Sequence, residues 1–208
     1  MKIKNIVFDV GMVLIDFHWE KTMRELGISE DAIEHLRVNM MQHPMWNEMD
    51  RNVMNEDEIV KQFKKLSPQY ADEIDLFLGN MEHVVTDFPR SGEWLKELKA
   101  RGYGIYLLSN YPERMFKMHW EHYSFAPYVD GKLVSYECHY TKPEKEIYHL
   151  LCERYGIDAK ESVFLDDRFE NIEAAKEVGF YGILVHEQEQ AIAELEQLLV
   201  KEGAYYYG

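Results

Sequence analysis

The sequence predicts an α/β fold: a parallel sheet that carries the functional groups, with a helical segment inserted after the first strand. Three apolar runs have the length and the β-branched and aromatic content of strands buried on both faces. Stretches of helical periodicity lie between the later runs and follow the last one, which is the alternation typical of a parallel sheet. The three runs are residues 6–8, 103–108 and 162–165.

The chain length and composition indicate one folded core, or a core domain with a modest insertion. The chain has 208 residues, too few for two full-sized domains, and its 46% hydrophobic and 29% charged residues are typical of a folded protein. The net charge of −15 would repel nucleic acid and anionic membranes, so we expect neither as a partner. No apolar stretch reaches the ~18 residues of a membrane span, and Cys138 and Cys152 form no paired motif. We therefore expect a cytoplasmic protein.

The first run places an acid at the end of a strand. It stops at Asp9, Gly11 then allows the chain to turn away from the sheet, and apolar residues resume before a second acid, Asp16. Acids at helix starts usually act as caps, so we interpret Asp16 as structural. Asp9 is the candidate catalytic residue of this segment.

Helical periodicity without strand-like runs marks residues 17–87 as the insertion. Ser29 and Asn55 have the chemistry of helix N-caps, and Ser67 with Pro68 would end the second capped helix. A group of methionines and one tryptophan could line a pliable substrate pocket or form the insertion's own core, and we favour the core because apolar helix faces usually pack there. The group is Met40, Met41, Met45, Trp46, Met49 and Met54.

The other two strand runs also end at polar side chains. The second ends at Ser109 and Asn110, and the third ends at Asp166 and Asp167. In open α/β sheets ligands bind outside the carboxyl ends of the strands. We therefore expect these groups and Asp9 to meet in one crevice.

Two further features lie between these runs. Pro143 is expected in the first turn of a helix, which places Lys142 at the helix start, facing the end of the sheet. His119 and His122 lie three residues apart on a helix predicted over residues 112–123. Such a pair could ligate a metal, but without a third ligand nearby we favour partly buried aromatic side chains.

Four segments resemble, in order and spacing, the four motifs of the haloacid dehalogenase superfamily. They are FDVGMVLID, LLSN, TKPE and FLDDRFENIEAAKEVG, and the match covers the chain outside the insertion. The first segment, through Asp16 and Phe17, also resembles that of bacterial α-glucose 1-phosphate phosphatases, in a subfamily similar to the N-terminal phosphatase domains of epoxide hydrolases. The resemblance implies a Rossmann-like core of residues 1–16 and 88–208 with a helical cap of residues 17–87.

The same resemblance implies roles in phosphate chemistry. Asp9 resembles the nucleophile that attacks phosphorus and forms an aspartyl phosphate. Ser109 and Asn110 resemble the groups that bind phosphate oxygens, and Lys142 resembles the cation of the third motif. The expected partner is a small phosphorylated substrate.

The resemblance also implies a magnesium ion, held by Asp9, by the backbone carbonyl of Gly11 and by an acid of the fourth motif. We align Asp167 with the main ligand, and Asp166 is then a second ligand or binds through water. The charges agree with this, because each close pair of carboxylates costs on the order of a few kcal/mol at an effective dielectric near 20. A dication and the ammonium of Lys142 would offset that repulsion, and Mg²⁺ prefers hard oxygen ligands.

The chain departs from the common pattern at Gly11, where most phosphatases of the superfamily carry a second aspartate as general acid and base. Such help is typically worth ~10²–10⁴-fold in rate. Its absence implies slower turnover, a better leaving group, or a replacement from water or the cap. His18, His43 and Glu48 are candidates, although each is more typical of a surface or capping residue.

These observations predict a magnesium-dependent phosphatase that hydrolyses a small phosphorylated metabolite, with a sugar phosphate as the expected substrate. The alternatives are a 2-haloacid dehalogenase, which would use Asp9 on carbon, and a non-catalytic binding protein. Dehalogenases need no metal and do not keep the late acids, so Asp166 and Asp167 argue against the first alternative. A degenerate site has no physical reason to retain mutually repelling carboxylates, which argues against the second.

Overall fold

The computed structural model describes residues 2–204, and the side chains of residues 2–201. Its strands are β1 (Asn5–Phe8), β2 (Ile15–Phe17), β3 (Val85–Asp87), β4 (Gly104–Ser109), β5 (Gly131–Val134), β6 (Ser162–Asp166) and β7 (Tyr181–Leu184). Within the described residues, five of these form a parallel sheet in the order β5-β4-β1-β6-β7. The predicted α/β class is therefore confirmed.

The position of β1 in the middle of the sheet brings the strand ends together. The strand is buried, and its alternate side chains pack into apolar clusters on the two faces of the sheet, as its apolar run predicts. Phe8 is paired with Leu107 of β4 and with Leu165 of β6. Asp9 and Asp166, one residue further along, are therefore level at the carboxyl edge of the sheet.

Helices fill the segment between β2 and β3. Two of the predicted N-caps are confirmed: the Ser29 hydroxyl accepts a hydrogen bond from the amide of Ala32 at 3.3 Å, and the Asn55 side chain accepts one from the amide of Asp57 at 2.9 Å. The helices are α1 (Trp19–Glu25), α2 (Glu30–Leu36), α3 (Pro44–Arg51), α4 (Glu56–Leu66) and α5 (Ala71–Leu78). We refer to this helical segment as the cap.

Strands β2 and β3 form an antiparallel ribbon at the two stems of the cap, with Ile15 opposite Asp87. Strand β3 was not predicted from the sequence, because three residues are too few for a strand periodicity to appear. Asp16 lies within β2, so its interpretation as a helix-start residue is wrong. Because β2 extends to Phe17, the first helix begins only at Trp19, with His18 as its N-cap residue.

The remaining helices cover the two faces of the sheet. Trp94 packs edge-to-face on Phe8 with ring centroids 5.0 Å apart, and Tyr148 packs on Phe164 at 5.6 Å on the other face. The helices are α6 (Ser91–Ala100), α7 (Glu113–His119), α8 (Ser135–Cys138), α9 (Lys145–Tyr155), α10 (Phe169–Val178) and α11 (Gln188–Ala204). Across residues 2–204, no helix combines the length and the apolar character needed to cross a bilayer.

The helix that follows Lys142 begins later than predicted. Helix α9 starts at Lys145 with Glu144 as its N-cap residue, so Pro143 lies before the helix and not in its first turn. The amide and hydroxyl of Thr141 both donate to the Glu144 carboxylate, at 2.8 and 3.1 Å. These bonds keep residues 141–144 in a tight loop, from which the Lys142 side chain reaches the end of the sheet.

Candidate active site

A buried lysine joins the ends of the two central strands. The ammonium nitrogen of Lys142 lies 2.8 Å from Oδ1 of Asp9 and 2.7 Å from Oδ2 of Asp166. Burial favours the neutral amine, but the carboxylates of Asp166 and then Asp9 outweigh it and raise the pKa of Lys142. Lys142 is therefore a cation held between two carboxylates.

Asp9, Asp166 and Asp167 form an acidic cluster, and the single ammonium of Lys142 does not balance its three carboxylates. Burial raises the pKa of Asp9 to about 7, against the opposing effect of Lys142 and with a further increase from Asp166 and Asp167. Burial, followed by the charge of Asp166, also raises the pKa of Asp167. One ligand oxygen from each of the three acids lies within 4.8 Å of the others. Hard oxygen donors at this spacing match what Mg²⁺ binds in proteins.

Asp166 differs from the other two acids because both of its oxygens are already hydrogen-bonded. Oδ2 accepts from Lys142, and Oδ1 accepts from the backbone amide of Arg168 at 2.8 Å. The side-chain amide of Asn171 donates to both oxygens, at 2.9 and 3.1 Å. Asp166 is fully buried, and among the described residues it is not part of the cavity lining.

Asn171 is a site residue that the sequence analysis did not identify. Its side-chain amide group binds Asp166, while its Oδ1 is buried and has no hydrogen-bond partner in the described part of the chain. Asn171 lines the cavity beside Asp167. A buried acceptor without a partner is unfavourable unless a water molecule or an ion completes it, so this atom fits a site that binds a hydrated cation.

The two polar residues at the end of β4 have different positions. The Asn110 side chain donates to the carbonyl of Lys142 at 3.0 Å and accepts from the amide of Lys142 at 2.8 Å, so it fixes the backbone of the lysine. Asn110 lines the cavity, whereas Ser109 is buried and, within residues 2–204, is absent from the lining. Their predicted contacts with phosphate oxygens remain a prediction.

A cavity of about 260 Å³ lies over the strand ends, between the core and the cap. Its polar side comprises Asp9, Gly11, Asn110, Lys142, Asp167, Arg168 and Asn171. Its other side comprises Met12, Ile15, Phe17, Met41, Trp46, Asn47, Asp50, Tyr111, Pro112 and Met115. Met41 and Trp46 therefore line the pocket, whereas Met40 and Met49 are buried in the apolar core, so both interpretations of the methionine group hold in part.

Asp50 is the acid that the cap contributes to this cavity, and the sequence analysis did not identify it. Asp50 is buried, with 8% of its surface exposed, and no hydrogen bond or ion pair engages its carboxyl group within the described residues. Burial raises its pKa to about 7, with a further increase from Asp9 and opposing effects from Lys142 and Arg168. The available signal was the spacing on α3, where Asp50 lies one turn after Trp46 and so shares its face.

The proton donors considered from the sequence lie elsewhere. Within the described chain none of His18, His43 and Glu48 lines the cavity. His43 accepts a hydrogen bond from the amide of Met45 at 3.2 Å and so caps α3, which confirms the capping interpretation. Glu48 is two positions from Asp50 and therefore on a different face of the same helix.

His119 does not belong to a metal site. The Tyr111 hydroxyl lies 2.9 Å from its Nδ1, and its Nε2 lies 2.9 Å from the carbonyl of Met81. Because a carbonyl only accepts, Nε2 carries the proton and Tyr111 donates to Nδ1. Burial lowers the pKa of His119, which favours this neutral form. The buried-aromatic interpretation is confirmed for His119 and is wrong for His122, which is exposed.

Comparison with known proteins agrees with these features. The family model of haloacid dehalogenase-like hydrolases matches residues 3–179. D-ribitol-5-phosphate phosphatase of Bacteroides thetaiotaomicron is 30% identical over 86% of this chain and 89% of its own length. Sesquiterpene phosphatase astK of Aspergillus oryzae is 26% identical over 94% of this chain and 96% of its own.

A solved structure shows the same fold. The enzyme bt-2542 of B. thetaiotaomicron, crystallised with magnesium and inorganic phosphate, superposes with a TM-score of 0.70. The two chains are 24% identical, and the match covers 88% of this chain and 93% of that one.

Proposed function

Because the chain belongs to the haloacid dehalogenase-like hydrolases, we propose that it is a magnesium-dependent phosphatase that hydrolyses small phosphorylated metabolites through an aspartyl phosphate on Asp9. The observation that carries the proposal is the contact of 2.8 Å between Asp9 and the Lys142 ammonium, in a cavity that Asp167 also lines. Nucleophile, cation and second acid thus face one space. Two relatives that match nearly the whole chain are phosphatases by name.

One oxygen of Asp9 is available for attack. Oδ1 accepts hydrogen bonds from the amide of Val10 at 2.7 Å and from Lys142 at 2.8 Å. Oδ2 is therefore the oxygen that can attack phosphorus. Attack forms the bond between Oδ2 and phosphorus as the ester bond breaks, and water then hydrolyses the acyl phosphate. Lys142 balances negative charge on the phosphate oxygens, and Asn110 keeps the lysine backbone in place.

The donor set fits a magnesium ion. We propose that Asp9, Asp167 and the carbonyl of Gly11 hold it, with Asp166 acting through water while its direct hydrogen bonds orient Lys142 and Asn171. The free Oδ1 of Asn171 would accept from a water of the hydrated ion. When bound, the ion would neutralise charge shared by the carboxylates and the substrate phosphate.

The groups that line the cavity indicate which classes of phosphorylated substrate should be tested. A sugar phosphate is the substrate expected from the sequence, and one relative is named for a phosphorylated sugar alcohol. The other side of the cavity presents mainly apolar and aromatic groups, including Phe17 of β2, Trp46 of the cap and Tyr111 of the core. Such surfaces pack on the apolar face of a sugar and equally on a hydrocarbon, and the other relative is named for a sesquiterpene phosphate. A substrate panel must therefore contain both classes.

The proposal is tested by phosphate release from a panel of sugar, polyol and isoprenoid phosphates, with magnesium and with EDTA. We expect hydrolysis that depends on magnesium and disappears in Asp9→Asn. A parallel assay offers haloacetates in EDTA and measures halide release. Halide release without phosphate release would establish the dehalogenase alternative, and turnover of neither class by the folded protein would favour a binding protein.

A further inference from the structure

Position 11, a glycine of the core, has no side chain that could donate a proton to the leaving group. The backbone of Gly11 lines the cavity, and a Cβ built on it would meet no atom within 4 Å, so the space that a side chain would fill there is open. When an ester bond to phosphorus breaks, an alkoxide leaves unless its oxygen is protonated. A poor leaving group therefore requires an acid from another part of the fold than the loop that carries Gly11.

We propose that Asp50 of the cap helix α3 supplies this proton and is a catalytic residue of the phosphatase. The inference rests on the proposed function and adds a residue to it. In the described part of the chain the acids that line the cavity are Asp9, Asp50 and Asp167. Asp9 is bound to Lys142 and Asp167 belongs to the acidic cluster, whereas the Asp50 carboxyl has no hydrogen-bond or ion-pair partner among the residues that the structure describes.

Within the described residues, the two cations and the phenol of the lining are already engaged. The Lys142 ammonium contacts two carboxylates. The Arg168 guanidinium donates to Glu170 at 2.8 Å, and the Tyr111 hydroxyl donates to His119. Asp50 is therefore a carboxyl group that can bind the substrate without first breaking another contact.

Contacts with the core fix the position of Asp50. Its backbone carbonyl accepts a hydrogen bond of 2.6 Å from the hydroxyl of Ser135, in α8 of the core. The next residue, Arg51, donates to the carbonyl of His139 and to the hydroxyl of Thr141, each at 3.0 Å, and pairs with Glu144 at 2.8 Å. The end of α3 is thus attached to the same loop that carries Lys142.

The surroundings shift Asp50 towards its protonated form. The charged groups that face Asp50 are Asp9, Lys142 and Arg168, and the phenol of Tyr111 is also close enough to interact. Burial raises the pKa of Asp50 to about 7, Asp9 adds to this, and the two cations oppose it. A pKa near the working pH suits a residue that must first donate a proton and then accept one.

The two steps balance. In the first, Oδ2 of Asp9 bonds to phosphorus, the ester P–O bond breaks, and its electron pair stays on the leaving oxygen, which takes the proton of Asp50. The products are the alcohol, the aspartyl phosphate and the Asp50 carboxylate. In the second, Asp50 takes a proton from water, whose oxygen attacks phosphorus. The P–O bond to Asp9 breaks, and phosphate, the Asp9 carboxylate and protonated Asp50 result.

The decisive experiment compares esters of similar size with different leaving groups. 4-Nitrophenolate is a stable anion and leaves without being protonated. The benzyl alkoxide is a strong base, so its oxygen must be protonated as it leaves. In Asp50→Asn we expect kcat/KM for benzyl phosphate to fall by ~10²–10³-fold and that for 4-nitrophenyl phosphate by less than ~10-fold. Asp50→Glu, which keeps the acid, should retain more activity on benzyl phosphate than Asp50→Asn. Glu48→Gln makes the same chemical change on another face of α3 and should alter neither substrate.

A second readout is the pH profile. With benzyl phosphate, the wild-type kcat/KM should fall above pH ~7 as Asp50 loses its proton, and Asp50→Asn should lack this limb.

Equal losses on both esters, or no loss, in folded Asp50→Asn would overturn the inference. If Asp50→Asn does not fold, the comparison is made with the wild type alone. A wild-type kcat/KM that is far lower for benzyl phosphate than for 4-nitrophenyl phosphate would contradict proton donation. Similar values of kcat/KM for the two esters would support it. Failure of the wild type to hydrolyse any ester would instead refute the proposed function.

Discussion

Replacing Asp50 by asparagine should stabilise the fold at pH 8 while it impairs turnover. Burial raises the pKa of Asp50 from 3.8 to about 7, so between these values the folded protein binds a proton that the unfolded chain releases. The contribution of Asp50 to the free energy of unfolding therefore falls as pH rises from ~4 to ~7 and is level above that. At 1.36 kcal/mol per pKa unit, the full penalty for the ionised carboxylate is up to ~4 kcal/mol.

Asparagine removes this penalty because it has no charge to bury and nearly the same shape. We expect Asp50→Asn to gain ~1–4 kcal/mol over the wild type at pH 8, which is ~2–16 °C in Tm for a chain of this size. At pH 4 the two proteins should be nearly equal. The measurement is urea unfolding at both pH values with EDTA present, so that no cation alters the charge of the site.

Glu48→Gln is the control for this measurement, since Glu48 is 37% exposed and lies on the same helix. It should show no gain at pH 8. An Asp50→Asn variant that is less stable than the wild type at pH 8, or a gain of the same size at pH 4, would show that the Asp50 carboxylate is not buried as described.

Three further substitutions test the site. Asp9→Asn should reduce hydrolysis of 4-nitrophenyl phosphate by at least ~10³-fold while circular dichroism stays unchanged, because the amide cannot form the acyl phosphate; turnover near the wild-type rate would exclude Asp9 as nucleophile. Asp167→Ala should act mainly by raising the magnesium concentration needed for half-maximal activity, so a lower rate with an unchanged magnesium dependence would remove Asp167 from the metal site. Gly11→Asp has room for its side chain, and adding it to Asp50→Asn should restore part of the lost activity on benzyl phosphate, whereas no recovery in a folded double variant would argue that proton donation is not what was lost.

The sequence indicated the core of the site because its position depends on local pattern. Apolar runs predict buried strands, and the residues after parallel strands share one edge of the sheet. Register then brings Asp9 level with Asp166, and the loop before α9 adds Lys142. The distinction between Asp166, whose oxygens are all engaged, and Asp167, which lines the cavity, was predicted only by alignment, because it depends on three-dimensional contacts such as those of Asn171.

The cap side could not be predicted in the same way. Helical periodicity identifies which face of α3 is apolar, but it does not show which end of that helix lies over the sheet. That position is set by contacts far apart in sequence, such as the bond between Ser135 and the carbonyl of Asp50. The ribbon of β2 and β3 was missed for a related reason, because each strand is only three residues long and depends on the other for its pairing.

Placing the acid on the cap has a mechanistic consequence that an aspartate at position 11 would not have. A donor at position 11 would lie on the core itself, whereas the position of Asp50 depends on the contacts of α3 with the core. The Arg51 contacts hold this position, and they end on the loop that carries Lys142. In the proposed mechanism, protonation of the leaving group therefore depends on these contacts between the cap and the core.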